Sequence, residues 1–145
     1  MQTILVIDDD DSLRDTISLM LERENFRVVQ AGDGKAGFEK AVVTRPDLIL
    51  VDLRLPGMSG VEVCKELRAA RNKTPIIVLR AVGDDMDKVL VLEIGADDYL
   101  VQPFGTRDML DSIRAVLRRG SSRATRQLSF SDVVVDLERR LVLRR

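Results

Sequence analysis

The residues of this sequence able to do chemistry are its aspartates, and their placement says more than their number. The apolar run ILVI (Ile4 to Ile7) leads into Asp8 and Asp9, with Asp10 and Asp11 beyond, and the run DLILVD (Asp47 to Asp52) ends in Asp52. Apolar runs of this length read as buried strands, so these carboxylates stand at carboxyl ends of strands. Carboxylates gathered there repel one another and raise each other's pKa, which invites a hard divalent cation. Mg2+, with a few oxygen ligands and retained waters, suits such a site. A metal held in this way neutralises the cluster and can clamp a phosphoryl group against a carboxylate nucleophile.

Composition removes the competing chemistries. Cys64 is the single cysteine and there is no histidine, so thiol-imidazole zinc sites, Ser-His-Asp triads and Cys-His pairs cannot be built within one chain. Some aspartates have plainer work. Asp10 and Asp11 suit helix N-caps, and Asp47 suits the start of a strand. Capping does not account for Asp8, Asp9 and Asp52 together, because Asp52 is a lone carboxylate closing an apolar strand.

Short apolar runs, turn residues and stretches of helical spacing alternate along the chain and supply the elements that must position these groups. The expected strands are Ile4 to Ile7, Phe26 to Ala31, Asp47 to Asp52, Pro75 to Leu79 and Asp98 to Val101. Between them lie a helix with Leu13, Ile17, Met20 and Leu21 on its apolar face, and helices over Lys35 to Val43, Val61 to Ala70 and Asp85 to Ile94; Asp108 to Arg118 closes the series. Five βα units are too few for an eight-stranded barrel and fit an open, doubly wound α/β sheet with a parallel core. Functional groups in such a sheet collect at the carboxyl ends of the strands, which places Arg80 after the fourth strand and Gln102 after the fifth beside the aspartates.

The 145 residues, 45% hydrophobic and 32% charged, allow one ordinary domain and a remainder. No uncharged apolar run approaches the ~18 residues of a membrane span, and the first residues lack the basic and small-residue features of an export signal. A cytoplasmic location without membrane contact is therefore expected. The net charge of −1 is uneven: the stretch from Arg118 onward carries eight arginines against Asp132, Asp136 and Glu138. The expected division is a domain over 1–119, a polar linker over 120–127 (GSSRATRQ), and a fragment over 128–145. In that fragment Leu128 to Phe130, Val133 to Leu137 and Leu141 to Leu143 read as short strands. About 18 residues cannot bury a core, so the fragment reads as the start of a domain that the 145 residues do not complete.

Taken in order and spacing, ILVIDDDDSLR, DLILVDLRLPGMSG, PIIVL, LEIGADDYL and QPF resemble the receiver domain of bacterial two-component response regulators over roughly residues 1–119. The resemblance implies a flavodoxin-like, CheY-like fold with strand order 2-1-3-4-5. It also implies that Asp52 is the phosphoacceptor, attacking a phosphohistidine of a sensor histidine kinase. Asp8, Asp9 (directly), Asp52 and the backbone carbonyl of Arg54 would hold Mg2+, and Tyr99 would be the aromatic switch residue. The Gln102–Pro103 bond is expected to be cis. Gly57 and Gly60 are expected as turn glycines, and Gly95 as the residue that ends the fourth helix. The tail LSFSDVVVDLERRLVLRR resembles the opening strands of the winged-helix effector domain of OmpR/PhoB-type transcription regulators. Specific DNA binding would need the recognition helix of a complete effector domain, which these residues do not contain.

Two positions depart from the receiver pattern. Arg80 stands where receivers carry threonine or serine, and Gln102 where they carry lysine. Gln102 brings no positive charge to a transferring phosphoryl group. The Arg80 guanidinium is long enough to pair with Asp52 or Asp9 and so to weaken Mg2+ binding, and it cannot repeat the inward motion of a hydroxyl. The expected result is an impaired phospho-switch, with dimerisation that depends little on phosphate. Two alternatives stand beside it: a fully phosphorylation-competent receiver, and a flavodoxin-like FMN protein, which the acidic loop and the 3% of aromatic residues disfavour. In OmpR/PhoB-type receivers the fourth helix, fifth strand and fifth helix form the dimer surface; the matching charges here are Lys88, Glu93, Asp97, Asp98, Asp108, Arg114 and Arg119, with Ser112 where an arginine is usual.

Overall fold

In the computed structural model, which describes residues 1–81 and 88–128, five strands form one parallel sheet in the order β2-β1-β3-β4-β5. The strands are β1 (Thr3–Ile7), β2 (Arg27–Ala31), β3 (Leu48–Asp52), β4 (Ile76–Arg80) and β5 (Asp98–Val101), alternating with α1 (Asp11–Arg23), α2 (Gly34–Thr44), α3 (Gly60–Ala69), α4 (Lys88–Glu93) and α5 (Thr106–Leu128). Both faces are covered. Ile4, Val6, Leu48, Leu50, Ile77 and Leu79 pack with Ile17 and Leu21 of α1 and Met109, Ile113 and Val116 of α5. Leu5, Ile7, Ile49, Val51, Ile76 and Val78 pack with Ala41 of α2, Val63, Cys64 and Leu67 of α3, and Val91 of α4. Strands buried on both sides need apolar residues at successive positions, which is why these runs do not alternate with polar residues.

Local chemistry sets the element ends. Asp10 is the N-cap of α1 and accepts from the Leu13 N–H at 3.1 Å. Asp11, expected as a cap as well, instead lies in the first turn and pairs with Arg14 at 2.7 Å. Asp47 accepts from the Thr3 N–H at 2.7 Å and so ties the start of β3 to that of β1. Gly95 (φ +111°) follows α4, and its N–H donates to the Leu92 carbonyl at 3.1 Å, as expected of a helix-ending glycine. Gln102–Pro103 is cis.

Further expectations need correction. Gly57 (φ +74°) is a turn glycine, but Gly60 opens α3, and a Cβ there would collide with the Asp52 carbonyl oxygen. Its role is to let the helix start close behind β3. The fifth helix is longer than expected and runs through residues 120–127, so the presumed linker has helical backbone and Leu128 ends a helix instead of opening a strand. A single interior glycine costs a helix only about 1 kcal/mol, and the Arg, Ala and Gln that follow Gly120 are adequate helix formers. The remaining expected strands of the tail, and the start of the fourth helix at Asp85, lie outside the described residues.

Candidate functional site: an acidic corner and its altered neighbour

β1 and β3 are adjacent and parallel, with Ile7 beside Val51, so the residues that follow them emerge side by side. One carboxylate oxygen from each of Asp8, Asp9 and Asp52 lies within 4.8 Å of the others. Asp8 is fully buried, Asp52 half-buried and Asp9 exposed. Backbone groups hold the two inner residues. The Asp8 N–H donates to the Ala31 carbonyl at 3.1 Å and Asp8 Oδ1 accepts from the Asp10 N–H at 2.9 Å. The Arg54 N–H donates to Asp52 Oδ1 at 3.3 Å. Behind Asp52 the chain is braced by Ser59 and Glu62, which cap the start of α3 reciprocally.

The electrostatics match the crowding. Asp52 is pushed up to about 6 by burial first, then by the charge of Asp8 and, less, of Asp9, against the N–H groups of Arg54 and Leu53. Asp8 is also raised, mainly by burial. Asp8 Oδ2 is buried and has no hydrogen-bond partner among the described residues. A buried acceptor left unsatisfied costs about 1–3 kcal/mol, and a cation among three hard oxygen donors would remove that deficit. The donor set therefore fits Mg2+.

The other end of the carboxyl edge is built from longer side chains. Arg80 ends β4 and Tyr99 lies on β5, whose residue Val101 is paired with Arg80. The Arg80 guanidinium carbon is 5.5 Å from the centroid of the Tyr99 ring, a cation–π contact between two half-buried groups. Gln102 lines a groove with Leu13, Ala81, Pro103 and Phe104. The structure thus brings Arg80 onto Tyr99 and gives Gln102 a place between the β5–α5 loop and α1.

Some of the charges expected at the dimer surface have partners within the chain. Asp97 Oδ2 accepts from the Ile76 N–H at 2.9 Å and lies 3.3 Å from Arg68 Nη2. Arg114 pairs with Glu24 at the end of α1 at 2.8 Å. Asp98 Oδ1 accepts from the Tyr99 N–H at 2.8 Å. Glu93 and Asp108 are exposed and Arg119 is half-buried, whereas the side chain of Lys88 lies outside the described residues.

Comparison with known proteins decides between a receiver and a flavin protein on this fold. A family model described as "Response regulator receiver domain" matches residues 4–114. The chain belongs to the response regulator receiver family. It is 45% identical over 136 residues to the transcriptional regulatory protein AfsQ1 of Streptomyces coelicolor, covering 94% of this chain and 60% of that protein. It is 43% identical over 143 residues to the DNA-binding response regulator MtrA of Mycobacterium tuberculosis, covering 99% of this chain and 62% of that one. Among solved structures, the BeF3-activated N-terminal receiver domain of Klebsiella pneumoniae RstA is similar with a TM-score of 0.75 and 32% identity, over 80% of this chain and 98% of that one. The chain thus spans about three-fifths of the length of these two curated relatives. Acidic pockets of this kind bind Mg2+ in receiver domains generally.

One residue beside the site escaped the sequence reading. Arg14 of α1 donates to the Asp8 carbonyl at 2.7 Å, to Asp11 Oδ1 at 2.7 Å and to Gln30 Oε1 on β2 at 2.9 Å. An available signal was its position: a cation in the opening turn of a helix faces the unfavourable end of the macrodipole.

Proposed function

We propose that this chain is the receiver portion of an OmpR/PhoB-type transcription regulator, with Asp52 as phosphoacceptor and with a phospho-switch altered at Arg80 and Gln102. The observation that carries the reading is the convergence of Asp8, Asp9 and Asp52, with one buried carboxylate oxygen of Asp8 unsatisfied. Asp8, Asp9, Asp52 and the Arg54 carbonyl would hold Mg2+, which when bound lowers the negative charge that a phosphoryl group meets. An Asp52 oxygen attacks phosphorus, the P–N bond to the imidazole of a sensor histidine kinase breaks, and the imidazole takes up a proton. Beyond accepting and slowly hydrolysing this group, the domain has no enzymatic role. Gln102 adds no charge to the transfer, and the Tyr99 ring already carries the Arg80 guanidinium. The ordinary exchange between a hydroxyl and an aromatic ring has therefore lost its hydroxyl.

Output on this reading is a homodimer through α4, β5 and α5. Glu93, Asp98, Asp108 and Arg119 join Lys88 in the charged ring, while Asp97 and Arg114 are shared with partners inside the chain. DNA would be bound by a complete effector domain and not by residues 1–128. No helix of the described residues is long and apolar enough to cross a membrane, and the phosphorelay would act in the cytoplasm.

The test is incubation with acetyl phosphate and Mg2+, read by intact mass. The chain should acquire a partial phosphoryl increment that Asp52→Asn abolishes, and Arg80→Thr with Gln102→Lys should raise the modified fraction several-fold. A complete, stable increment on the parent would overturn the altered switch and favour the fully competent receiver. An increment retained in Asp52→Asn would overturn the phosphoacceptor assignment.

A further inference from the structure

We propose that Arg14 is a positioning residue for the cation site, holding the β1–α1 loop so that Asp8 and Asp9 present their carboxylates to one ion. The inference rests on the reading of those two aspartates as metal ligands. Arg14 reaches back from α1 with three donors, and its side chain is only 15% exposed. Nη1 donates to the Asp8 carbonyl, Nη2 to Asp11 Oδ1 and Nε to Gln30 Oε1. The Asp8 carbonyl shares a rigid peptide plane with the Asp9 N–H, so holding it fixes the direction in which Asp9 leaves the strand. On the other side of Asp8, its N–H is held by the Ala31 carbonyl of β2. β2 thus grips the loop twice, once through its backbone and once through Gln30 and Arg14. Gln30 lies opposite Val6, and its own carbonyl accepts from Lys40 of α2, so the anchor is tied to a second element.

Charge and geometry make opposite demands here. A guanidinium against Asp8 repels an incoming Mg2+, so if charge alone mattered its removal would tighten binding. If Arg14 positions the loop, removal weakens binding, because groups that orient metal ligands typically contribute about ten- to a hundredfold in metal affinity. The sign of the change separates the two.

The experiment titrates Mg2+ into the 15N-labelled chain and follows the amide shifts of residues 8–11, with thermal midpoints measured in parallel without metal. Arg14→Met should weaken Mg2+ about tenfold, whereas Arg14→Lys, which keeps the charge and one donor to the Asp8 carbonyl, should recover part of the loss. Gln30→Leu leaves the charge untouched and should weaken binding about threefold by releasing the Nε anchor. Arg14→Met binding Mg2+ as tightly as the parent, or more tightly, overturns the proposal. If that variant fails to fold, Gln30→Leu decides in the same way. A parent that does not bind Mg2+ overturns the ligand reading and this proposal with it. Binding that is lost in Asp9→Asn but kept in Arg14→Met overturns this proposal alone.

Discussion

At the β1/β3 end of the carboxyl edge, short side chains carry the charge and the backbone holds them: Asp8 through the Asp10 N–H, Asp52 through the Arg54 N–H. At the β4/β5 end, long side chains carry the polar groups, and Arg80 lies on another side chain, the ring of Tyr99. A carboxylate two bonds from a strand end can go only where the strand puts it. A guanidinium on a flexible stem can be re-aimed. The first corner is therefore the rigid half of the site and the second the adjustable half, and substitutions should have large effects in one and graded effects in the other.

The largest effect should come from the rigid corner. Asp9→Asn removes one of the three carboxylates that converge there, and Mg2+ affinity should fall by about ten- to a hundredfold in the same titration. Arg80→Thr, one corner away, should change it by less than tenfold, in the direction of tighter binding if the guanidinium's charge reaches the site. Equal changes in the two variants would erase the distinction between the corners.

Next in size is the cost of a charge on half-buried Asp52, set by burial first and by repulsion from Asp8 second. The Asp52 carboxyl, ordinarily near 3.8, is raised to about 6 in the folded chain. The unfolded chain therefore loses this proton more readily. Below pH 3.8 both states hold the proton and the group imposes no penalty; as pH rises through about 6 the folded state is forced to carry the charge, and stability falls. Asp52→Asn should accordingly stabilise the metal-free protein at pH 7.5, by on the order of 1 kcal/mol after allowance for solvent screening of a half-exposed group, or ~3 °C in thermal midpoint. The gain should vanish near pH 4. A gain that persists there would place its origin in packing and not in charge.

The same contrast explains what the sequence made legible. The sheet could be read because parallel strands buried on both faces run as unbroken apolar segments, and Asp8, Asp9 and Asp52 because they terminate such segments. What was hidden depends on partners distant in the chain. Arg14 looks like any solvated helix charge until β2 brings Gln30 to it, 16 positions away. Nothing near Arg114 in the sequence points to Glu24, 90 positions away, which the fold sets beside it. The continuation of α5 was hidden for another reason: Gly120 with two serines after it reads as a breaker, whereas helix propagation tolerates one weak position once a long helix is established.

The smallest effect tests how firmly the adjustable corner is held. A cation over a ring contributes about 0.5–1 kcal/mol at partly exposed sites. Arg80→Met and Tyr99→Leu each remove that contact, but each also removes packing, so neither single variant measures it. The double variant does: if the guanidinium and the ring interact, the two losses should fall short of additivity by about 0.5 kcal/mol in denaturant unfolding. Additive losses would mean that Arg80 is positioned by groups other than the Tyr99 ring. A positive coupling would mean that the ring carries a charged load, so that any movement of Tyr99 has to displace the guanidinium first.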